Sequence, residues 1–262
     1  MPCPPYNRPW MNSQESQDAP VTVSIVLHNQ WHLAKPLLEQ LERHCAHVID
    51  KVVLTLNVPE PDVVSDGWRF PVHKIGNDAP QGFGANHNAA FTHCRTPWFL
   101  VLNPDIRLHD DALSKLLCGA RRDAGLIAPR IHEPDKTAPE PYRRLLTPLE
   151  LMRRRFPGYA PPSGPDWVAG MFMLLRREAF QAVGGFDPRF HMYCEDFDLC
   201  ARLRLAGWQF QVAGDVNVLH HAQRASQAPP RPMVWNLSTL AKVWTSGAFW
   251  RYRRLLSGRA AD

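Results

Sequence analysis

"FLVLNPDIRL", Phe99 to Leu108, is an apolar run that stops on an amide, a proline and a carboxylate. Pro104 has no N–H to give to a sheet ladder, so a strand ends or meets an edge there. Asn-Pro and Pro-Asp also favour turns, and on this stretch alone the turn reading stands beside a functional one. In open α/β sheets, ligands bind outside the carboxyl ends of the strands, where Asn103 and Asp105 would stand.

The surrounding sequence extends that pattern. "VTVSIVLHN" reads as a buried strand ending at His28-Asn29, "KVVLTLN" as a second ending at Asn57, and "FPVHKIGN" as a short third. A helical stretch runs through Leu41, and "GFGANHNAAFTHC" opens on glycines and continues in helical composition. This alternation predicts an α/β fold with a Rossmann-like, mostly parallel sheet flanked by helices. Asn29, Asn57 and Asp105 then converge on one rim. Further on, "LIAPRI", "FMLLR" and "VNVLHH" read as strands, separated by a proline- and arginine-rich excursion from Pro134 to Pro165 and by an amphipathic helix carrying Leu199, Leu203 and Leu205. Met1 to Pro20 reads as a disordered leader.

Composition narrows the class. The 262 residues, 45% hydrophobic and 21% charged, fit one large globular domain or two small ones. A net charge of +5 suits anionic partners: nucleotides, phosphorylated lipids, nucleic acid or a membrane face. The six cysteines are scattered without a CxxC pair, which reads as reduced thiols of a cytoplasmic protein. No run reaches the ~18 apolar residues of a membrane span. A cytoplasmic protein, peripheral on the inner face of the cell membrane, is the expectation.

Three constellations carry chemistry. In "YCEDFDLCARL", Glu195, Asp196 and Asp198 open a helix, where carboxylates complement the dipole and cap. Two adjacent carboxylates also crowd each other, which raises a pKa and makes a general base, with Phe190, Tyr193 and Phe197 as a desolvating wall. In "GFGANHN", Gly82 and Gly84 permit close backbone approach to a ligand, with Asn86 and Asn88 as hydrogen-bonding candidates, although His87 replaces the third glycine of the dinucleotide fingerprint. In "VLHHAQRAS", an imidazole with Asp105 suits Mg2+ or Mn2+ completed by phosphate oxygens, and Arg224 suits a bidentate contact to a diphosphate.

Taken in order, "IVLHN", "GFGANHN", "LNPDI", "DWVAGMFMLLRREAF", "VGGFDPRFHMYCEDFDLCARL" and "LHHAQRAS" resemble the family 2 glycosyltransferases of the GT-A fold. The resemblance runs from about Val21 to Ser226 and is strongest to the lipopolysaccharide rhamnosyltransferase branch. It implies an inverting, metal-dependent transferase, with a nucleotide-sugar half over 21–125 and an acceptor-binding, catalytic half over 126–226. Asp105 and His220 are implied as metal contacts, and Asn103 as a neighbour of the ribose. Asp196, with Glu195 as second choice, is implied as the base. Asn29, Asn57, Gly82, Gly84, Asn88 and Arg224 fall on the donor side, and Trp167, Met171 and Tyr193 on the acceptor side. The implied partners are a nucleotide-diphosphate sugar, dTDP-rhamnose first, and a glycan acceptor on a polyprenyl diphosphate lipid or polysaccharide of O-antigen type. Two departures stand out. "LTLNVPEPD" lacks the acidic residue that relatives aim at the base, and His28 stands where an aromatic often precedes the asparagine.

"YRRLLTPLELMRRRFPG" and the tail over 227–262, "WNLSTLAKVWTSGAFWRYRRLLSG" within it, mix apolar residues with arginines. Each fits a packed helix with a solvated charged face, or a segment lying on anionic lipid. Two other functions compete. A nucleotidyltransferase needs a basic, glycine-rich loop after the first strand, which "HNQWHLAKP" does not supply. A non-catalytic nucleotide- or carbohydrate-binding module does not need the Asp105, Glu195-Asp196 and His220 set. No nucleic-acid motif is present, and nucleic acid is not an expected partner.

Overall fold

A computed structural model of the chain describes residues 19–61, 63–221 and 233–259. The expected leader, apart from its last two residues, and Arg224 lie outside the described residues.

Eight strands form one sheet: β1 Val21–Leu27, β2 Ile49–Leu56, β3 Val72–Gly76, β4 Trp98–Leu102, β5 Ile106–Arg107, β6 Ala124–His132, β7 Phe172–Arg176 and β8 Gln209–His220. Their spatial order is β3-β2-β1-β4-β7-β6-β8-β5. β1 pairs parallel with both β2 and β4, β2 with β3, and β6 with β8. β7 runs antiparallel between β4 and β6, and β5 runs antiparallel to β8. The sheet is therefore mostly parallel, and it runs across residue 125 without a break. The chain order reverses beside β1, so the ends of β1 and β4 flank the switch point where such sheets take ligands.

Alternation along the strands builds a core on each face. Val21, Val23, Ile25 and Leu27 face one core with Trp98, Leu100, Leu102, Phe172 and Leu174. Helices α1 (Trp31–Cys45) and α3 (Ala112–Cys118) cover this side through Leu37, Leu41, Leu113 and Leu116. Phe99, Val101, Met173 and Leu175 face the other core, under α2 (Phe83–Phe91), α5 (Arg177–Ala182) and α6 (Glu195–Leu205). Two polar side chains that β1 puts on this second face find partners: Thr22 meets Thr96 at 2.8 Å and Ser24 meets His87 Nδ1 at 2.8 Å. Burial depresses the His87 pKa to about 3, so this imidazole is neutral scaffold.

The short helix α4 (Pro148–Arg153) rises from the proline-rich excursion, and α7 (Met233–Thr245) and α8 (Gly247–Arg259) close the described chain. Val243, Phe249 and Tyr252 are buried in the second core, and Trp244 Nε1 donates to Leu146 O at 2.7 Å. Among the described side chains of the tail, Trp250 is exposed. Cys45, Cys94, Cys194 and Cys200 are free thiols, but Cys118 is disulfide-bonded, against the expectation of six reduced cysteines. Among the described residues, no helix is long and apolar enough to cross a membrane.

Candidate active site

The carboxylate pair sits where the backbone is least relaxed. Tyr193 and Cys194 take left-handed φ values of 69° and 66°, a conformation costly for residues with side chains, and Glu195 starts α6 directly after them. Glu195, Asp196 and Asp198 fill the first helical turn, where the dipole favours negative charge. Their roles then diverge. Asp198 is buried and accepts from Arg202 Nε at 2.7 Å, while Arg202 also donates to Val183 O and Gly185 O. Asp198 is therefore a structural ion pair.

Asp196 accepts one backbone amide on each oxygen, Gly170 N to Oδ2 at 3.0 Å and Phe197 N to Oδ1 at 2.8 Å. Those bonds fix its orientation and leave each oxygen a further lone pair. Glu195 is buried, and its Oε2 has no partner. Burial, reinforced by the Asp196 charge, pushes Glu195 up to about 8. Burial also raises Asp196, but the amides of Gly170 and Phe197 and the nearby Arg143 oppose the rise. Glu195 thus holds a proton at neutral pH, while the two amides and Arg143 favour the charged form of Asp196 against its burial.

Gly170 and Met171 tie this pair to the Asn-Pro-Asp turn. Gly170 donates to Asp196, and the next residue's carbonyl accepts from Asn103 N at 2.9 Å. A Cβ on Gly170 would stand 3.2 Å from the Phe83 ring and 3.5 Å from Asp196 Cβ, so the position is tight. "WVAGM" is the stretch of sequence that contained this tie, but its spacing gave no reason to single out the glycine.

Past the turn, Ile106 pairs with His220 across β5 and β8, and His221 N donates to Asp105 O. The pairing brings Asp105 Oδ2 within 3.3 Å of His220 Nε2. Asp105 Oδ1 and His220 Nδ1 are buried without partners. Burial lowers the His220 pKa, but Asp105, Glu140 and Glu133 outweigh it and the net shift is upward, which marks a spot that attracts cations. A carboxylate and an imidazole with unspent lone pairs fit a divalent cation of the Mg2+ or Mn2+ type. Among the described residues no third His, Cys, Asp or Glu joins them, so oxygens from a bound diphosphate would have to complete the shell.

On the acceptor side, Trp167 is buried. Its ring meets Phe197 edge-on at 6.0 Å, and its Nε1 donates to Arg144 O. A narrow cleft opens against it, lined also by Met171, Val168, Arg130 and Arg143. Arg143 lies over the Trp167 ring and donates to Glu140. Sequence reading named Trp167 and Met171 but missed both arginines, which lay in stretches read only for their charge or as strand. Tyr193 is exposed beside the pair.

The donor rim differs from expectation. Gly82 and Gly84 do permit close approach, but to the protein itself: a Cβ on Gly82 would stand 2.5 Å from His191 O, and one on Gly84 2.6 Å from Phe186 Cβ. Asn88 exchanges two hydrogen bonds with the Phe186 backbone, at 2.8 and 2.9 Å. Asn57 accepts from Asn77 Nδ2 and Gln81 N and donates to Gln81 O, and Asn77 also donates to Asn86 Oδ1. These residues hold the 77–88 segment to β2 and α2 to the 185–191 segment. Gly82, Gly84, Asn57 and Asn88, expected on the donor side, all have contacts within the protein here. Asn29 is exposed at the end of β1 with a left-handed φ of 59°, and Asn103 is half-buried at the switch point.

The family described as "Glycosyltransferase like family 2" matches residues 28–236. An N-acetylglucosaminyl-diphospho-decaprenol L-rhamnosyltransferase of Mycobacterium tuberculosis is 32% identical over 152 residues, covering 51% of this chain and 50% of that protein. The chain thus spans about half the length of that relative. Rhamnosyltransferase WbbL of Escherichia coli is 26% identical over 265 residues, covering 92% of this chain and 97% of its own. In structure, the mannosyltransferase PcManGT of Pyrobaculum calidifontis superposes with a TM-score of 0.60 at 13% identity, over 97% of this chain and 79% of that one. The fold is the GT-A arrangement, and with most of its length matched, this chain belongs to glycosyltransferase-like family 2.

Proposed function

We propose that the protein is an inverting glycosyltransferase that moves a sugar from a nucleotide diphosphate to a hydroxyl of a lipid-linked glycan. The observation that carries this reading is the Gly170–Met171 tie, which joins an oriented carboxylate to a cation-attracting turn at the end of a central strand. Rhamnose from dTDP-rhamnose is the first donor to test, and a polyprenyl-diphosphate glycan the first acceptor, because two relatives carry rhamnosyltransferase names and one names a decaprenol-linked substrate.

In the reaction, the acceptor hydroxyl lies in the Trp167–Met171 cleft within reach of Asp196. Asp196 takes its proton as the oxygen bonds to the anomeric carbon, and the bond from that carbon to the diphosphate oxygen breaks on the opposite face. The configuration therefore inverts. The two amides on Asp196 hold the base in line, and protonated Glu195 keeps a second negative charge away from it. Asp105 and His220 would hold a divalent cation, which supplies charge stabilisation for the departing diphosphate.

A donor-hydrolysis screen tests the reading: dTDP-, UDP- and GDP-sugars with Mg2+, Mn2+ or EDTA, alongside Asp105→Ala and Asp196→Ala. Turnover of one donor that EDTA and Asp105→Ala abolish supports the reading and names the sugar. Metal-independent turnover, or nucleotide binding with no turnover when acceptor lipid is added, overturns it in favour of a metal-free enzyme or a binding module.

A further inference from the structure

The excursion after β6 contains a helix whose polarity is inverted. On α4 the acidic residue Glu150 is buried while Leu149 and Met152 are 54% and 57% exposed, and in the turn that follows Phe156 is 64% exposed. Leu149 and Met152, three residues apart, lie on one side of the helix, and Leu151 packs inward. The buried side is fixed. Thr147 caps the helix through Glu150 N at 3.1 Å, and Glu150 accepts from Arg154 Nε at 2.9 Å and from the Tyr159 hydroxyl. An alternative packing that turned the apolar residues inward would expose those bonds, so the outward display is built in.

The charge around it has one sign. Between Pro141 and Pro165 the chain carries five arginines, and its only acid is the buried Glu150. Arg144, Arg153 and Arg155 are exposed, and a shallow hollow between Arg144, Arg153, Phe156 and Tyr159 has room for a phosphate group. The C-terminal helices are tied to the segment before α4 by two bonds: Trp244 donates to Leu146 O, and Trp250 Nε1 donates to Trp244 O at 2.8 Å. Trp250, 46% exposed with the Arg253 guanidinium over its ring, is a further exposed aromatic beside an arginine.

We infer that the face formed by α4 and Trp250 docks on an anionic lipid bilayer, with Leu149, Met152 and Phe156 entering the headgroup region and the arginines meeting lipid phosphates. Three exposed apolar side chains beside the exposed guanidinium groups of Arg144, Arg153 and Arg155 match that occupant, since lipid supplies apolar depth and negative charge together. A protein partner or a second copy would need acidic groups to answer the arginines, and between Pro141 and Pro165 the face itself carries only the buried Glu150, so it is not self-complementary. The location deepens the proposed function, on which it rests for its purpose. Arg143 and Arg144 join α4 to Trp167, so the bilayer would lie beside the acceptor cleft.

The test is flotation of the full chain with phosphatidylcholine vesicles, with and without phosphatidylglycerol, in low and high salt. Neither donor nor acceptor is present, so a failed transferase reading cannot cause a negative result. Binding should require phosphatidylglycerol and fall with salt. The Leu149→Ser/Met152→Ser/Phe156→Ser variant should lose about tenfold or more in partitioning, and Arg153→Gln/Arg155→Gln about fivefold per charge. Both should keep the parent's unfolding midpoint and donor hydrolysis, because none of these side chains lines the catalytic cleft. Equal flotation with neutral lipid, no flotation of the parent chain, or undiminished flotation of both variants would overturn the inference. So would a concentration-dependent dimer that the serine variant abolishes, which would assign the face to self-association.

Discussion

The two rims of the binding edge treat their polar groups in opposite ways. Along the ends of β2 and β3, Asn57, Asn77, Gln81 and Asn86 bond to one another at 2.6 to 3.3 Å. Along β4, β8 and α6, Asp105, His220 and Glu195 each keep a buried polar atom with no partner. Buried polar groups are ordinarily satisfied, and each exception needs an explanation. Thr55 Oγ1 and His87 Nε2, within β2 and α2, are also buried without partners, so the contrast holds for the rims and not for the elements beneath them. We read the first rim as framework that shapes a loop and the second as the place of the proposed chemistry.

The strongest way to break this contrast is Asp196→Asn. The amide oxygen keeps one of the two backbone N–H bonds and the amide nitrogen cannot accept the other, so about 1–3 kcal/mol of stability goes with it, and the base is gone. Transfer should fall by about 10²–10⁴ while nucleotide affinity by calorimetry stays near the parent value. An unchanged rate would move the base elsewhere. Next comes Asp105→Asn, which removes a charge from the cation-attracting pair. A loss of about 10²–10³ in turnover is expected, with weakened Mn2+ binding by titration. Retained metal binding would return Asn103-Pro104-Asp105 to a simple turn. On the first rim, Asn57→Ala leaves Gln81 N and Asn77 Nδ2 without their acceptor. It should cost about 1–3 kcal/mol of stability by denaturant unfolding, with little change in turnover at saturating donor. A large loss of turnover without loss of stability would make Asn57 a ligand contact after all.

The same contrast explains what the sequence revealed. Strand ends at His28-Asn29, Asn57 and Asn103-Pro104-Asp105 were legible because an apolar run that ends on polar residues is a local signal. So was the pairing of Glu195 with Asp196. Satisfaction is not local. Asn88 looked free for a ligand because its partner, Phe186, lies 98 residues later. Gly84 looked like an opening because the ring that fills its space belongs to the same distant segment. The antiparallel course of β7 was hidden for a similar reason: "FMLLR" is apolar on both faces, so its pattern gives no direction. On α4, the burial of Glu150 depends on Tyr159 and Arg154 meeting it, which composition read only as a charged helix.

The smallest effect sharpens the contrast within the second rim itself. Glu195 is raised to about 8 by burial and by Asp196, so between its ordinary carboxylate range and pH 8 the folded protein binds a proton that the unfolded chain has released. The unfolded state then binds fewer protons, and stability falls as pH rises through that window. The contribution is complete below the unfolded pKa and lost as pH passes the folded one. Arg143 and the thiol of Cys194 share the surroundings, but burial drives Cys194 up to about 12, so it does not titrate in this range. Glu195→Gln keeps the shape and removes the titration. Its unfolding free energy should change less between pH 5 and pH 8 than the parent's, by roughly 1.4 kcal/mol for each tenfold difference in proton affinity between the folded and unfolded chains. If the two proteins followed the same pH curve, Glu195 would be charged at neutral pH, and the division of proton and charge between the two carboxylates would be wrong.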